Sequence, residues 1–428
     1  MQLRDYQIDI STNAVQLLKS YGIAYLSMQV RTGKTITSLE TAKLYGAKNV
    51  LFVTKLKAIQ SIIDDYNNGG YPSSYELVVI NFESLHKLSE LTDSEFDFII
   101  IDEAHSLGQY PQPAERTKQL KSICYAKPIV YLSGTPSPES YSQLFHQFWV
   151  SSRSPFGHSN FYQWAKMGYV QVQNKYVFNR TLVDYSNANK AMIDERVGHL
   201  FLSYTQEEAG FTELVHEHVH NVKMSDKTYN ICNRLRLDKV VNGTGGRVIE
   251  ADTAVKLMNK LHQLYSGTVL FDQHEEDDSN SSVLDDSKGN YIFETFKGKK
   301  MAIFYKFIAE RVALQIQCQT RGIHIAKTPE EFNSTPNCVY LSQFVSGREG
   351  INLSSADCLV CYNIDFSAVT YFQVRARLQT KERTTAADVH WIFAEGGIEH
   401  QIYQAVKNKK NYTLSYFRKH EKTLDQSR

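Results

Sequence analysis

Residues 96–105 of this 428-residue chain read Phe-Asp-Phe-Ile-Ile-Ile-Asp-Glu-Ala-His, an apolar run that ends in two adjacent carboxylates. Short apolar runs of this kind are typical of strands buried on both faces of a parallel sheet. Similar runs occupy residues 23–29, 49–54, 77–80 and 128–133. Amphipathic stretches at 35–45 and 56–67 lie between them and predict helices. Strands that alternate with helices predict an α/β domain with a doubly wound parallel sheet.

The same alternation returns after residue 300. Strands are predicted at 301–304, 339–342, 358–362 and 388–393, and helices at 307–320 and 398–408. The sequence between the two α/β regions is helical and aromatic-rich over 137–212, with a hairpin near 169–183, a strand at 215–224 and helices over 226–263 that flank a turn at 242–246. We therefore predict two domains, 1–225 and 226–428, and place a helical insertion at about 137–212 in the first.

The composition excludes several classes of protein. The chain has 47 Lys and Arg against 46 Asp and Glu, and its hydrophobic fraction of 42% is that of an ordinary globular protein. It contains no apolar run long enough to span a membrane and no signal peptide at its start, and its six scattered cysteines fit a reducing cytoplasm. The net charge of +1 gives no global electrostatic argument for nucleic acid. The near-neutrality is a cancellation, because residues 272–288 carry −6 and residues 400–428 carry +5. We expect the acidic run to be an exposed loop.

A phosphate-binding loop is predicted where the first strand meets the next helix, at residues 28–35, which read Met-Gln-Val-Arg-Thr-Gly-Lys-Thr. In this context backbone N–H groups and the helix N-terminus face phosphates. Lys34 is expected to reach the β- and γ-phosphates, and the Thr35 hydroxyl to bind Mg²⁺. Asp102 is the second expected Mg²⁺ ligand, and Glu103 the base that orients the attacking water. The predicted cofactors are ATP and Mg²⁺.

Several segments resemble, in the correct order, the motifs of superfamily-2 helicases, and within them the Swi/Snf-type ATPases. Residues 3–7 resemble the adenine-recognition motif, 31–35 motif I, 51–54 motif Ia and 132–136 motif III. Residues 102–105 are identical to the Asp-Glu-Ala-His form of motif II, the DEAH box. In the second half, 301–307 resemble motif IV, 346–357 motif V, 373–377 the first part of motif VI, and 397–399 a closing element. The resemblance implies two RecA-type lobes with parallel sheets.

The resemblance also implies the site residues. Lys34, Asp102, Glu103 and Arg377 would be catalytic. The expected ATP-binding residues are Arg4, Gln7, Arg31, Thr32, Gly33, Lys34, Thr35, Gly350 and Asn352, and the expected nucleic-acid contacts are Lys55, Lys57, Ser346 and Arg348. The basic tail at 400–428 is a further candidate for phosphate contacts.

Two positions depart from the family pattern. Motif VI normally has a second arginine where this chain has Thr380, and Arg375, Lys381 or Arg383 are the candidates to replace its charge. Arg31 stands where the family has glycine, which is tolerable if the backbone φ angle there is negative.

The resemblance implies an ATP-dependent translocase or helicase that acts on DNA in replication, recombination or repair. An RNA helicase and a degenerate ATP-gated DNA-binding scaffold are the alternatives, and a fused nuclease is disfavoured because the motifs leave no spare domain. We expect a monomer in the cytoplasm, with replication or recombination proteins as possible partners. The compact length favours a phage-encoded protein, which would act in the host cytoplasm.

Three further features have structural explanations that we favour. His216, His218 and His220 share one face of a predicted strand and can bind zinc, but a polar strand face explains them better. Cys358 and Cys361 are expected to be buried thiols. The aromatic residues can stack on bases but are expected in a helical core: Trp149, Phe156, Phe161, Tyr162 and Trp164.

Overall fold

The computed structural model describes residues 3–90, 96–177, 180–210, 215–243, 246–272, 280–344, 353, 355–378, 387–408 and 417. The chain divides into two compact units, Met1–Thr212 and Glu213–Arg428. The division differs from the expected one at 225/226, because the strand Val215–Val222 pairs with a strand of the second unit. No helix among the described residues combines the length and the apolar character that crossing a membrane requires.

The first unit is built on a six-stranded parallel sheet with the strand order β3-β2-β4-β5-β1-β8. Its strands are β1 (Ile23–Met28), β2 (Asn49–Thr54), β3 (Glu76–Asn81), β4 (Phe98–Ile101), β5 (Ile129–Leu132) and β8 (Phe201–Tyr204), and β6 (Gln173–Val177) and β7 (Arg180–Asp184) form a separate hairpin. The predicted α/β class with a parallel sheet is confirmed, and each of the five predicted strands is present.

Alternate residues of these strands pack on opposite faces of the sheet. Val50 and Phe52 of β2 pack in one core cluster, and Leu51 and Val53 pack in the other. Helices α1 (Asp5–Tyr21), α2 (Lys34–Tyr45) and α3 (Ile59–Asn68) cover the first face, and α4 (Glu115–Cys124), α5 (Leu144–Trp149), α6 (Phe161–Trp164) and α7 (Lys190–Val197) cover the second. Burial on both faces is the reason that these strands are apolar throughout.

The segment predicted as a helical insertion differs from the expectation. It contains α5, α6 and α7 and, close to the predicted position, the β6–β7 hairpin, but its end forms β8, which pairs with β1 at the edge of the main sheet. Of its aromatic residues, Phe156, Phe161 and Trp164 are buried as expected, whereas Tyr162 is 40% exposed.

The second unit contains another six-stranded parallel sheet, with the order β15-β16-β14-β17-β18-β9. Its strands are β9 (Val215–Val222), β14 (Met301–Tyr305), β15 (His324–Ala326), β16 (Cys338–Gln343), β17 (Cys358–Cys361) and β18 (Ala387–Ala394), and two small hairpins comprise β10 (Val240–Asn242) with β11 (Val248–Glu250) and β12 (Thr268–Leu270) with β13 (Ser281–Val283). The helices are α8 (Asp226–Asp238), α9 (Ala254–Tyr265), α10 (Ser287–Thr295), α11 (Ile308–Thr320), α12 (Pro329–Ser334), α13 (Ala368–Arg375) and α14 (Glu399–Lys407). The two parallel sheets are consistent with two RecA-like lobes.

The described end of the acidic run, residues 280–288, is not a simple exposed loop, and residues 273–279 lie outside the described residues. Residues 281–283 form β13, Asp285 is buried, and Lys288 is fully buried in an ion pair with Glu399. The run of charged residues wrongly predicted exposure here, because the partners of Asp285 and Lys288 are distant in sequence.

Other side-chain expectations can be compared directly. Cys358 and Cys361 are buried free thiols, as predicted. His218 contacts Asp388 and His220 contacts His390, and no group of three metal-binding side chains occurs within the described parts of the chain.

Candidate nucleotide-binding site

The loop after β1 ends in a glycine whose backbone only glycine adopts without strain. Gly33 precedes α2 with φ +86°, and a Cβ atom there would collide with the Gln7 side-chain amide. Arg31, two residues earlier, has φ +65°. The condition under which arginine would be tolerated, a negative φ, is therefore not met, and this conformation costs about 1 kcal/mol for a residue with a Cβ atom.

Lys34 is held by the loop that it follows. Its Nζ donates to the carbonyl oxygens of Met28 and Gln29, at 3.0 and 3.1 Å. Desolvation lowers the pKa of Lys34, and the nearby Glu103 and Asp102 carboxylates oppose that shift. The strand–loop–helix geometry therefore places a cation next to two acids at the N-terminus of α2.

Asp102 lies just beyond β4, which neighbours β2 in the sheet. Its Oδ2 accepts a hydrogen bond from the Thr54 hydroxyl at 2.9 Å, and its Oδ1 accepts one from the backbone N–H of Glu103 at 2.9 Å. Burial, followed by the charge of Glu103, raises the pKa of Asp102 to about 6, while Lys34 and Thr54 act in the opposite direction. A buried carboxylate with this shift is well suited to a divalent cation, whose charge favours the ionised form.

Glu103 is connected to the segment after β5. Its Oε2 lies 3.3 Å from Nδ1 of His105, and the same nitrogen lies 3.1 Å from the Ser133 hydroxyl oxygen. Ser133 in turn accepts a hydrogen bond from the backbone N–H of Thr135 at 3.2 Å. Contacts through His105 and Ser133 thus link the predicted catalytic base to the segment that resembles motif III.

The start of α1 lies against the same loop. The Arg4 guanidinium donates to the Tyr6 hydroxyl, which donates to the carbonyl oxygen of Thr32, each at 2.9 Å. The Gln7 side-chain oxygen accepts from the backbone N–H of Arg4 at 3.0 Å. The structure therefore brings Arg4, Gln7, Thr32 and Gly33 together, as the resemblance implied.

Four contributors to this site were not predicted. Thr54 was detectable, because it is a polar residue at the end of an apolar strand, which is the rule that selected Asp102. The roles of His105 and Ser133 emerge only from the parallel order of β4 and β5. Tyr204 stacks on Tyr6 with ring centroids 4.3 Å apart, but it lies at the end of β8, within a segment predicted to be helical.

The other predicted residues lie elsewhere. Lys55 and Lys57 flank Leu56, which is 67% exposed in the turn after β2. Arg377 is buried in the turn that follows α13. Ser346, Arg348, Gly350, Asn352, Thr380, Lys381 and Arg383 lie outside the described residues, as does the tail after 408 except Phe417.

Arg375 is engaged within the second unit. Its Nε lies 2.7 Å from Oε1 of Glu217, on β9. Of the three candidates to replace the missing motif VI arginine, it is the one whose partner the structure describes.

Comparisons with known proteins agree with this geometry. Residues 57–138 match the family described as "Type III restriction enzyme, res subunit". The chain is 22% identical over 399 residues to the DNA repair and recombination protein RAD54B of Gallus gallus, an alignment that covers 79% of this chain and 42% of that protein. It is also 22% identical over 371 residues to the CHD3-type chromatin-remodeling factor CHR7 of Arabidopsis thaliana, with 80% of this chain and 29% of that protein covered.

The chain thus spans less than half the length of either curated relative. Their names describe proteins of DNA repair and chromatin remodelling, and the family match covers the segment that includes motifs II and III. Together, these comparisons show that the chain, with its two parallel sheets and the site around Lys34 and Asp102, is similar to proteins whose names refer to DNA repair and chromatin remodelling.

Proposed function

We propose that this protein is a DEAH-box ATPase that couples ATP hydrolysis to translocation along DNA in replication, recombination or repair. The observation that carries the proposal is the convergence of Lys34, Asp102 and Glu103 at the carboxyl ends of β1 and β4, which β5 separates in the same parallel sheet, with Glu103 in contact with Ser133 through His105. The similarity to relatives whose names refer to DNA repair and chromatin supports DNA as the track.

The predicted site residues have distinct roles in this proposal. Lys34 and the backbone N–H groups at the start of α2 would bind the phosphates, and Asp102 and Thr35 would hold Mg²⁺, which supplies positive charge to the transferred phosphoryl group when it is bound. Glu103 orients and deprotonates the attacking water. Gln7 binds the adenine edge, and Arg377, in the segment that resembles motif VI, supplies positive charge during hydrolysis.

The contact from Glu103 through His105 to Ser133 offers a route from the nucleotide to the DNA. A change at Glu103 during hydrolysis alters the contacts of His105, and therefore those of the segment that begins at Ser133. Lys55, Lys57, Ser346 and Arg348 are the proposed phosphate contacts along the track. Opening and closing of the ATP site would then move the protein along the strand.

Replacing the base tests the assignment. The Glu103→Gln variant keeps the shape of the side chain but cannot accept the proton of the attacking water. We expect the DNA-stimulated ATPase rate to fall at least about 100-fold, while binding of a fluorescent ATP analogue is unchanged. Glu115→Gln is the matched control, because Glu115 is an exposed acid on α4 whose partner is Lys118. Retention of ATPase activity by Glu103→Gln would refute the proposal.

The choice of track is tested with the unmodified protein. We expect duplex, single-stranded or forked DNA to raise the ATPase rate more than RNA of matched length and sequence. Stronger stimulation by RNA would favour an RNA helicase. Binding of DNA without stimulated hydrolysis would favour an ATP-gated scaffold.

A further inference from the structure

The Glu217 carboxylate, on the edge strand β9, gathers side chains from three other elements. It accepts hydrogen bonds from the Tyr371 hydroxyl at 2.8 and 2.9 Å, from Nε1 of Trp391 at 3.0 Å and from the Tyr403 hydroxyl at 3.2 Å. It also forms the 2.7 Å ion pair with Arg375, and its side chain is only 11% exposed. A largely buried acid with three hydrogen-bond donors and one cationic partner is a built feature of the fold, because an unpaired carboxylate at this depth would be costly.

Two of these four partners belong to the same helix. Tyr371 and Arg375 are four residues apart on α13, and therefore lie on the same face of it. The Tyr371 ring also stacks on Trp391 of β18, with centroids 5.4 Å apart. Glu217 thus fixes one face of α13 to the sheet through both of its last two turns.

The end of α13 leads into Arg377, which is catalytic in the proposed ATPase. The chain continues from Arg375 directly into the turn Ala376–Leu378, which contains Arg377. Arg377 is 6% exposed and Gln373 is 8% exposed, so neither side chain can adjust freely. A shift of the helix end would therefore shift both.

We propose that Glu217 is a positioning residue that sets the place of Arg377 by holding Arg375 at the end of α13. This inference rests on the proposed ATPase function. It also reduces the number of residues that can replace the arginine missing at Thr380. Arg375 anchors the helix, so Lys381 and Arg383 remain as the candidates for the transition-state charge.

The Arg375 pair determines the register of α13 more tightly than the neutral partners do. The two tyrosine hydroxyls and the indole N–H need only an oxygen acceptor, which an amide supplies equally well. A guanidinium paired with a carboxylate is held by opposite charges, and replacing the carboxylate by an amide removes this attraction. Glu217→Gln therefore separates the ion pair from the three hydrogen bonds.

The test uses the full-length chain and steady-state ATPase assays with saturating DNA. We expect Glu217→Gln and Arg375→Gln each to lower kcat about 10-fold, with KM for ATP within about twofold of the unmodified protein, because the displacement affects the transition state more than ATP binding. The double variant should be no slower than either single variant, since both remove the same contact. Arg375→Lys keeps a cation beside Glu217 and should recover most of the rate. Arg377→Gln should lose more activity than either.

His218→Gln is the matched control, because His218 lies next to Glu217 on β9 and contacts Asp388 instead of α13. Thermal unfolding of every variant, followed by circular dichroism, identifies a purely structural effect. If the kcat loss follows the unfolding temperature and Arg375→Lys does not recover it, Glu217 only stabilises the unit and the inference is wrong. It is also wrong if Glu217→Gln is fully active, or if Arg375→Gln is as slow as Arg377→Gln while Glu217→Gln is fast. Absence of DNA-stimulated ATPase activity in the unmodified protein would refute the proposed function, and this inference with it.

Discussion

The Asp102 carboxylate is buried next to a second acid, and this placement lowers the stability of the folded protein. Its pKa is raised from 3.8 to about 6, first by burial and then by Glu103. A carboxyl group whose folded-state pKa exceeds its unfolded value contributes stability that is present below pH 3.8 and is lost as the pH rises through 6. At neutral pH the ionised Asp102 therefore destabilises the first unit when no cation is bound.

Removing this charge should stabilise the protein and abolish its activity. Asp102→Asn retains an oxygen that can accept from Thr54 or from the Glu103 N–H. We expect its unfolding temperature without nucleotide to exceed that of the unmodified protein at pH 7, with a smaller gain in acid, and its Mg²⁺-dependent ATPase to be lost. Asp64→Asn, an exposed acid on α3, is the control. A lower unfolding temperature for Asp102→Asn at pH 7 would contradict the interpretation.

Strained backbone conformations also occur in the loops of the candidate nucleotide-binding site. Among the described residues, four that are not glycine have positive φ angles, and two of them, Arg31 and Glu103, lie in the loops after β1 and β4. Strain of this kind is maintained where the surrounding structure determines a functional conformation. Here it turns the loops sharply at the ends of the strands and places Lys34 and Glu103 near one another.

At the scale of elements, a buried ion pair joins α10 to α14. The Lys288 Nζ lies 2.8 Å from Oε1 of Glu399, and both side chains are fully buried. A Cβ atom at Gly397 would collide with the Glu399 carboxylate, which explains why glycine precedes this helix. Glu399 belongs to the closing element of the family resemblance, and in this structure it fixes the last helix to α10.

Breaking this pair on one side should cost more than removing it entirely. Lys288→Met leaves the Glu399 charge buried, and we expect about 3–5 kcal/mol of lost stability in urea unfolding of the second unit. The double change Lys288→Met with Glu399→Met leaves no buried charge and should recover much of that loss. Lys297→Met, an exposed lysine shortly after α10, is the control. A double variant less stable than Lys288→Met would show that the pair contributes net stability beyond neutralising its own charges.

At the scale of the whole molecule, the net charge in acid depends on the histidines, and the environment of some of them disfavours protonation. His390 of β18 has a pKa lowered to about 4 by burial and by the neighbouring His220 and His218, while Asp388 opposes the shift. Burial and His218 likewise lower the pKa of His220. The other groups that face this cluster are His216, Lys299 and the Tyr291 hydroxyl.

Acid should therefore destabilise the folded chain. Below pH 6.5 the unfolded chain binds a proton at each histidine, whereas His390 in the folded protein stays neutral until about pH 4, so stability falls as the pH drops through this range. We expect the urea midpoint to decrease from about pH 7 to about pH 4.5, and the decrease to be smaller in His390→Asn. His86→Asn, at an exposed histidine of the first unit, is the control and should leave the slope unchanged. Equal slopes for the unmodified protein and His390→Asn would contradict the prediction.

Local sequence patterns were sufficient for most of the framework. The strands 49–54 and 301–305 and the helix that starts at Lys34 follow from apolar runs and from a glycine before a helix, because each of these signals is contained within a few residues. The pattern missed β8, since its four residues are only partly buried at the sheet edge. It also misjudged residues 281–288, since the partners that bury Asp285 and Lys288 are distant in sequence.

By itself, the sequence determined the α/β class, the two sheets and the identity of Lys34, Asp102 and Glu103, because alternation and strand ends are local properties. Only the tertiary structure decided that Arg31 has a positive φ, that His105 joins Glu103 to Ser133, and that Arg375 is held by Glu217. The two side-chain contacts depend on which strands are neighbours in a sheet. Glu217 and Arg375 meet because β9 pairs with β18 and α13 packs beside them, and the 157 positions between the two residues contain no local signal of that contact.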